Sequence, residues 1–533
     1  MEDLDAKDMR RYAAMSPFEL EKVLVAAAQD AAGREGAQML HAGRGNPNFL
    51  NTTVREALCH LQLFATGQAD ARLHSADLGL SPPRDGMAEK LRRYLESNRD
   101  SRGAAFLDRA ITFAHERFKL APEEFVYELA DAALGDHYPS PPRIFPLSEV
   151  IVNAFLSRVH CPGHKPAAGK FDLFATEGAT GAMIYVFNSL KENMVLNAGD
   201  HIAIVTPIFP PYLEIPELRD YNLVEVRIAQ DEDLDWQVPD REMEKLEDPR
   251  IKAMFMVHPT NPTSVKLKWE TLEKLAQLVE TGRKDLIVLT DTVYATFVED
   301  FHSVVEVIPR NTIAAYSYSK FFGVTGWRLG VVMLHEENVV DELISRLPAW
   351  KKAELDERYK IETTEPQKIK FIDRLEIDSR NVALAHTGGV SGPQHAIIAL
   401  FSLFYLMDED LAYQKAVHDI LERRMEILYG NLNLACRHGA EHTCYYSLID
   451  VERLARADYG DDFAHWLTDN ASMIEFLFKL AGEKYTVCLP GEGFGAPRWS
   501  LRVSLANLED GDYLTLGENI NDVMTGYYRA WRG

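Results

Sequence analysis

Between residues 171 and 333 the chain repeats one pattern, in which short β-rich runs are separated by helical stretches. Seven runs read as strands: 171–175, 201–205, 222–228, 253–257, 286–289, 312–317 and 329–333. Strands alternating with helices build an α/β domain around a mainly parallel sheet. Open sheets of this kind bind ligands outside the carboxyl ends of their strands. The residues that close each run are therefore where chemistry is expected.

The run 312–317 leads into Ser317-Tyr318-Ser319-Lys320-Phe321-Phe322-Gly323-Val324-Thr325-Gly326-Trp327-Arg328-Leu329-Gly330. A lysine placed after an apolar run can form a Schiff base with a carbonyl cofactor such as pyridoxal phosphate. The serines and Arg328 suit a phosphate, the arginine through its fork of donors. The plainer alternative is a surface lysine after a strand, and the other strand ends decide between the two. Thr176-Glu177-Gly178-Ala179-Thr180 joins a strand to a helix and offers backbone N–H groups and a hydroxyl to a phosphate. Pro207-Ile208-Phe209 follows the next run and supplies a ring for stacking. His258-Pro259-Thr260-Asn261 offers an amide, and Asp291 with Tyr294 offers an acid and a phenol three residues apart. An aspartate at a strand end can pair with a pyridinium nitrogen or simply cap a helix. Near the C-terminus Ser500-Leu501-Arg502-Val503-Ser504 alternates as a strand, with Arg502 sharing a face with both serines. A charge inside a strand requires a partner, and a substrate carboxylate would serve.

The flanks read differently. Ser16-Pro17 resembles a helix start, with the serine as cap. His41-Ala42-Gly43-Arg44-Gly45-Asn46-Pro47 reads as a loop able to approach a ligand closely. Residues 50–130 show helical periodicity, 340–385 form a charged helical stretch, and Lys351 to Arg358 reads as a solvated helix face. At 533 residues more than one domain is expected. The net charge of −24, and 17 Lys+Arg against 20 Asp+Glu in residues 1–130, argue against nucleic-acid or anionic-membrane partners. Five scattered cysteines and an N-terminus without an apolar segment lead to the expectation of a cytoplasmic protein with free thiols. The apolar run 396–407 is too short to span a bilayer and reads as a buried helix. Cys436, His438, His442 and Cys444 crowd together, but their spacing matches none of the usual zinc patterns, so no metal is expected.

Taken in order, Tyr138, Gly178-Ala179-Thr180, Phe209, Asn261-Pro262, Asp291 with Tyr294, Ser317-x-Ser319-Lys320, Arg328 and Arg502 resemble the aspartate aminotransferase superfamily of pyridoxal phosphate enzymes, fold type I. The resemblance implies a large domain with a mixed, mainly parallel sheet (141–395, with the insertion at 340–385). It also implies a smaller α+β domain (396–533, joined by N-terminal segments) and an N-terminal helical extension with an active-site loop (1–140). Lys320 would hold the cofactor and transfer protons. Asp291 would pair with the ring nitrogen, and Tyr294 and Asn261 with the phenolic oxygen. Phe209 would stack on the ring, where many members carry tryptophan. Ala179, Thr180, Ser317 and Arg328 would hold the phosphate, joined from a second subunit by Tyr138 and by the segment containing Thr387 and Ser391. Arg502 would take the substrate α-carboxylate, with Gly45 closing over it and Asn261 alongside.

The extra length, Asn-Pro-Thr-Ser at 261–264, Ser319 to Arg328 and His386-Thr387-Gly388-Gly389-Val390-Ser391-Gly392-Pro393-Gln394 are similar to the bacterial aspartate 4-decarboxylases, a branch of that superfamily. This implies conversion of L-aspartate to L-alanine and CO2 through a ketimine and an enamine, with minor aminotransferase activity. It also implies assembly as dimers and larger sets of dimers. Arg44 would position the β-carboxylate loosely, because a tight clamp would favour the bound carboxylate over departing CO2. Lys22 would help from the same segment, and the N-terminal helices would cover the site. The alternatives are an aminotransferase for aspartate or aromatic amino acids and, more remotely, a transcription regulator built on the same fold.

Overall fold

The structure is a computed structural model that describes residues 6–73, 75, 77–162, 170–218, 220–380, 388–436 and 439–533. The strands are β1 (Leu40–His41), β2 (Phe171–Thr176), β3 (His201–Thr206), β4 (Val224–Ala229), β5 (Ile251–Val257), β6 (Ile287–Asp291), β7 (Thr312–Ser317), β8 (Gly330–His335), β9 (Tyr446–Asp450), β10 (Thr486–Val487), β11 (Leu489–Pro490) and β12 (Ser500–Ser504). All seven expected runs between 171 and 333 are strands of one sheet, ordered β2-β8-β7-β6-β5-β3-β4. Helices cover both faces, so β5, β6, β7 and β8 are apolar along almost their whole length. At the edge, β4 buries only Ile228 and carries the Glu225–Arg227 ion pair at 2.6 Å, a charged rim that blunts the edge.

One strand breaks the parallel pattern. β8 runs antiparallel to both β7 and β2. The loop carrying Lys320 and Arg328 reverses the chain, so Gly330 pairs with Ser317 on one side and Thr176 on the other. Three chain segments thus converge at the carboxyl edge of the sheet, and Gly330 makes that convergence possible. A methyl group there would stand 2.7 Å from Gly178 Cα.

The C-terminal part stacks helices on the antiparallel sheet β11-β12-β9. The N-terminal part joins it through β1, which pairs in parallel with β10. Helix Pro17–Glu35 begins as the sequence suggests, with Ser16 Oγ accepting from Glu19 N, and ends at Gly36 with φ 65°. It packs against helix Met473–Lys484. Where residues 1–60 read as a short helix with loop, the described part holds three helices, Ala6–Ala13, Pro17–Glu35 and Thr52–Asp70. The latter packs with Arg102–Phe118 and Pro122–Leu134 against Gly392–Met407, the buried helix that contains the apolar run. No helix among the described residues is long and apolar enough to cross a membrane. None of the five cysteines forms a disulfide among the described residues.

The charged insertion is not simply a solvated face. Helix Ala349–Tyr359 exposes Lys352, Glu354 and Glu357 but buries Leu355 and Tyr359. Asp378, buried, accepts from Ser189 Oγ (2.6 Å), Tyr359 OH (2.9 Å) and Arg358 Nη2 (2.9 Å). Arg358 also pairs with Glu192 at 2.9 Å. The insertion therefore fastens the far end of helix Ala179–Glu192, whose N-terminus lies at the convergent sheet edge.

Candidate active site

The carboxyl ends of β2, β5, β6 and β7 open onto a cavity of about 410 Å³. At one end Gly178 (φ 88°) turns the chain into helix Ala179–Glu192 and leaves the first N–H groups, those of Ala179 and Thr180 included, facing the cavity at the positive end of the helix. Arg328 stands opposite in a left-handed conformation (φ 54°). Its guanidinium donates to Thr325 O and Glu177 O, both at 3.0 Å. A methyl group on Gly178 would come within 2.8 Å of Arg328 Nη2, so glycine is needed for both its φ and the space. Ser317 Oγ donates to Ser319 Oγ (2.9 Å) and lines the same end.

At the middle of the cavity, Lys320 Nζ donates to Gly45 O at 2.7 Å. Burial, aided by the charges of Arg502 and Arg328, holds its ammonium pKa below the ordinary lysine value, which favours a nucleophilic or basic amine. Asp291, the last residue of β6, is pushed up to about 6 by burial. That happens although Tyr212 OH donates to Oδ2 (2.7 Å), Val293 N donates to Oδ1 (3.1 Å) and Lys320 lies near. A buried carboxylate that stays this basic is suited to a cationic partner. Asn261 Oδ1 is buried with no hydrogen-bond partner among the described residues. Tyr294 OH donates to Tyr446 OH at 3.1 Å. Phe209 lines the cavity with its ring edge-on to Phe18 (5.6 Å) and Tyr212 (5.4 Å).

The opposite wall comes from the C-terminal sheet and the N-terminal segment. Arg502 on β12 is buried, donates Nη1 to Gly43 O at 3.0 Å and lies 4.0 Å from the ring centre of Tyr446. Its Nε has no partner among the described residues. Arg44 is exposed at the cavity mouth, beside Gly45. Helix Pro17–Glu35 adds Phe18 and Glu21, the latter 3.1 Å from His41 Nε2.

Eleven of the expected residues thus share one cavity with Lys320: Ala179, Thr180, Phe209, Asn261, Asp291, Tyr294, Ser317, Arg328, Arg502, Arg44 and Gly45. Tyr138 does not line it and is 82% exposed on its own chain. Thr387 lies outside the described residues. Ser391 caps helix Gly392–Met407, its hydroxyl bonded to Gln394 Oε1 at 2.9 Å. Lys22 is exposed and does not line the cavity on its own chain, whereas its neighbour Glu21 does, since adjacent helical residues point about 100° apart. His438 of the Cys/His cluster lies outside the described residues, and burial pushes the thiols of Cys436 and Cys444 up to about 11 and about 12. Sequence reasoning missed Phe18, Glu21, Tyr212 and Tyr446. The pair Tyr445-Tyr446 at the mouth of a strand was the one visible signal.

The sequence model described as aminotransferase class I and II matches residues 175–520. A bifunctional aspartate aminotransferase and L-aspartate beta-decarboxylase from a Pseudomonas species is 42% identical over 529 residues, covering 99% of both chains. An aspartate aminotransferase from Thermotoga maritima is 26% identical over 258 residues, 45% of this chain and 64% of that one. Among solved structures, an aspartate aminotransferase from Thermus thermophilus with maleate superposes with a TM-score of 0.56 at 18% identity, covering 99% of this chain and all of that one. The Rhizobium meliloti aspartate aminotransferase gives 0.58 at 15% identity, covering 97% and 98%. These two likenesses concern the fold.

Proposed function

The chain belongs to the class I and II aminotransferase family, and from that premise we propose that it is a pyridoxal phosphate-dependent aspartate 4-decarboxylase that forms L-alanine and CO2, with minor aspartate aminotransferase activity. The carrying observation is that the likeness to the Pseudomonas enzyme runs through the N-terminal 170 residues, which the aminotransferase match leaves out. Those residues contribute Phe18, Glu21 and Arg44 to the cavity wall.

The cavity fits the cofactor. The N-terminus of helix Ala179–Glu192 with Thr180, Ser317 and Arg328 suits its phosphate. The basic buried carboxylate of Asp291 suits a cationic ring nitrogen, and the amide of Asn261 with the Tyr294 hydroxyl, both on the cavity wall, suits the polar edge of the ring. Phe209, on the cavity wall, would cover a ring face. When bound, pyridoxal phosphate supplies a carbonyl that condenses with amines and a ring that takes up an electron pair.

In this reading Lys320 holds the cofactor through its amine and moves the substrate Cα proton. Asp291 keeps the ring nitrogen protonated. Arg502 binds the α-carboxylate, and the Gly43–Gly45 loop closes over it. Arg44, at the mouth, attracts the β-carboxylate without gripping it, since a rigid fork would stabilise the ground state more than the nascent CO2. Phe18 against Phe209 shields that side from water, which would otherwise divert the reaction to amino transfer. We further propose that the protein self-associates, with the exposed Tyr138 and the segment of Thr387 completing a partner's phosphate site, and that larger assemblies of dimers form.

The test is incubation of the cofactor-loaded protein with L-aspartate and no oxo acid. Equimolar, sustained release of CO2 and alanine is expected. A single stoichiometric amino transfer without CO2 would overturn the reading in favour of an aminotransferase.

A further inference from the structure

Loss of CO2 leaves the β-carbon with the electron pair of the broken bond, and that carbon must be protonated before alanine can leave. An aminotransferase needs no such step. Resting on the decarboxylase reading above, we propose that Tyr446 is the acid that delivers this proton.

The position argues for it. A methyl group on Gly45 would stand 2.7 Å from Tyr446 Oη, 3.2 Å from Lys320 Nζ and 3.7 Å from Arg502 Nη2, so the three side-chain heads converge on one small volume. Arg502 lies across the Tyr446 ring at 4.0 Å. A substrate whose α-carboxylate rests on Arg502 and whose Cα lies within reach of Lys320 carries Cβ one bond further, into the volume that the phenol borders. Among the other hydroxyls of the wall, Ser317 Oγ donates to Ser319 Oγ at 2.9 Å and Tyr294 OH donates to Tyr446 itself. Tyr446 is also held firmly. Its backbone N and O both bond Ser264 Oγ at 2.9 Å, which ties the start of β9 to the loop of Asn261.

The electrostatics agree with the geometry. Tyr294, Tyr445 and Tyr446 pack together, and the groups facing Tyr446 are those two phenols with Lys320 and Arg502. Burial pushes the Tyr294 and Tyr445 phenols well up. For Tyr446 burial acts the same way, but Lys320 and Arg502 outweigh it and bring the phenol below its ordinary range. Tyr294 OH also donates to it at 3.1 Å. The phenolate left after transfer is thus stabilised where it forms.

The balance closes simply. The bond between Cβ and the carboxyl carbon breaks, CO2 leaves neutral, and the pair stays with Cβ. A new C–H bond forms with the Tyr446 proton, and the O–H pair remains on Oη as phenolate. Water in the cavity, or the Lys320 ammonium, returns a proton to Oη, which accounts for the one proton that the net reaction consumes.

Tyr446→Phe keeps the ring on Arg502 and removes only Oη. In a single turnover of the cofactor-loaded enzyme in D2O, exchange of the aspartate α-proton, release of CO2 and formation of alanine are followed together. In the variant CO2 is expected to leave in the first turnover while alanine formation slows about 10²- to 10³-fold relative to it, the usual worth of a positioned acid. In cofactor-free protein, NMR of tyrosine Cζ is expected to show one phenol titrating below free tyrosine, missing in Tyr446→Phe. Alanine formation that keeps pace with CO2 release in the variant as it does in wild type, or loss of first-turnover CO2 itself, would overturn the proposal, as would the absence of that early-titrating phenol. A wild-type enzyme that exchanges the α-proton but releases no CO2 would instead remove the decarboxylase reading itself.

Discussion

Asp291→Asn separates the cost of a functional acid from its use. The Asp291 carboxyl is raised from an ordinary 3.8 to about 6, chiefly by burial. At 1.36 kcal/mol per unit, the ionised carboxylate costs the cofactor-free fold about 3 kcal/mol. The folded protein binds this proton more tightly than the unfolded chain does, so stability falls as pH rises from about 4 through about 6 and stays low above. Asparagine cannot ionise, yet its oxygen still accepts from Tyr212 OH. Cofactor-free Asp291→Asn is therefore expected to melt higher than wild type at pH 8. With an unfolding entropy of about 2.1 cal/mol/K per residue, a chain this long gives roughly 1.1 kcal/mol/K, and the rise is about 3 °C. At pH 4 the two should coincide. Pyridoxal phosphate should reverse the order at pH 8, because the cationic ring nitrogen recovers the cost only in wild type. Circular dichroism melts at both pH values, with and without cofactor, provide the check. A cofactor-free variant that melts lower at pH 8, or a difference independent of pH, would refute the reasoning.

Three further outcomes follow from the same geometry. Gly178→Ala places a methyl 2.8 Å from Arg328 Nη2 at a left-handed φ, and should weaken cofactor binding by about 10-fold or more in fluorescence titration. Arg44→Ala should cut kcat/KM for CO2 release from aspartate about 10-fold, mainly through KM, because an exposed mouth arginine attracts its anion loosely. Asp378→Ala strips partners from Ser189, Tyr359 and Arg358 and should destabilise the protein by about 3 kcal/mol in thermal melts. Its cofactor affinity should fall as well, because the insertion then loosens the helix that begins at the phosphate end.

The sheet was legible because its strands are buried on both faces, and a strand buried that way leaves an unmistakable apolar run. The strand-end residues were legible for a related reason. Asp291, Ser317 and Lys320 interrupt apolar runs with groups that have no business in a core unless something pairs with them. The antiparallel turn of β8 was not visible, since an apolar run carries no direction. Nor was the docking of the insertion: Arg358 and Asp378 look like ordinary surface charges until the fold sets them against Glu192 and Ser189. Tyr446 was missed because a tyrosine opening a strand is ordinary, and only the arrival of Arg502 and Lys320 beside it changes its chemistry.

The N-terminal loop shows most clearly how distant parts set the site. β1 is two residues long, too short to register as a strand in the sequence. Its pairing with β10, Leu40 opposite Thr486 and His41 opposite Val487, fixes the loop that follows. That register turns Gly43 O onto Arg502 and Gly45 O onto Lys320, with Tyr445 OH donating to the same Gly45 carbonyl at 2.8 Å. Arg502 and Lys320 are thus both oriented by backbone carbonyls from the N-terminal segment. Any shift of helix Pro17–Glu35 on helix Met473–Lys484 is transmitted through this pairing to both groups together. The N-terminal extension is therefore part of the frame of the cavity rather than a cover laid over a finished one.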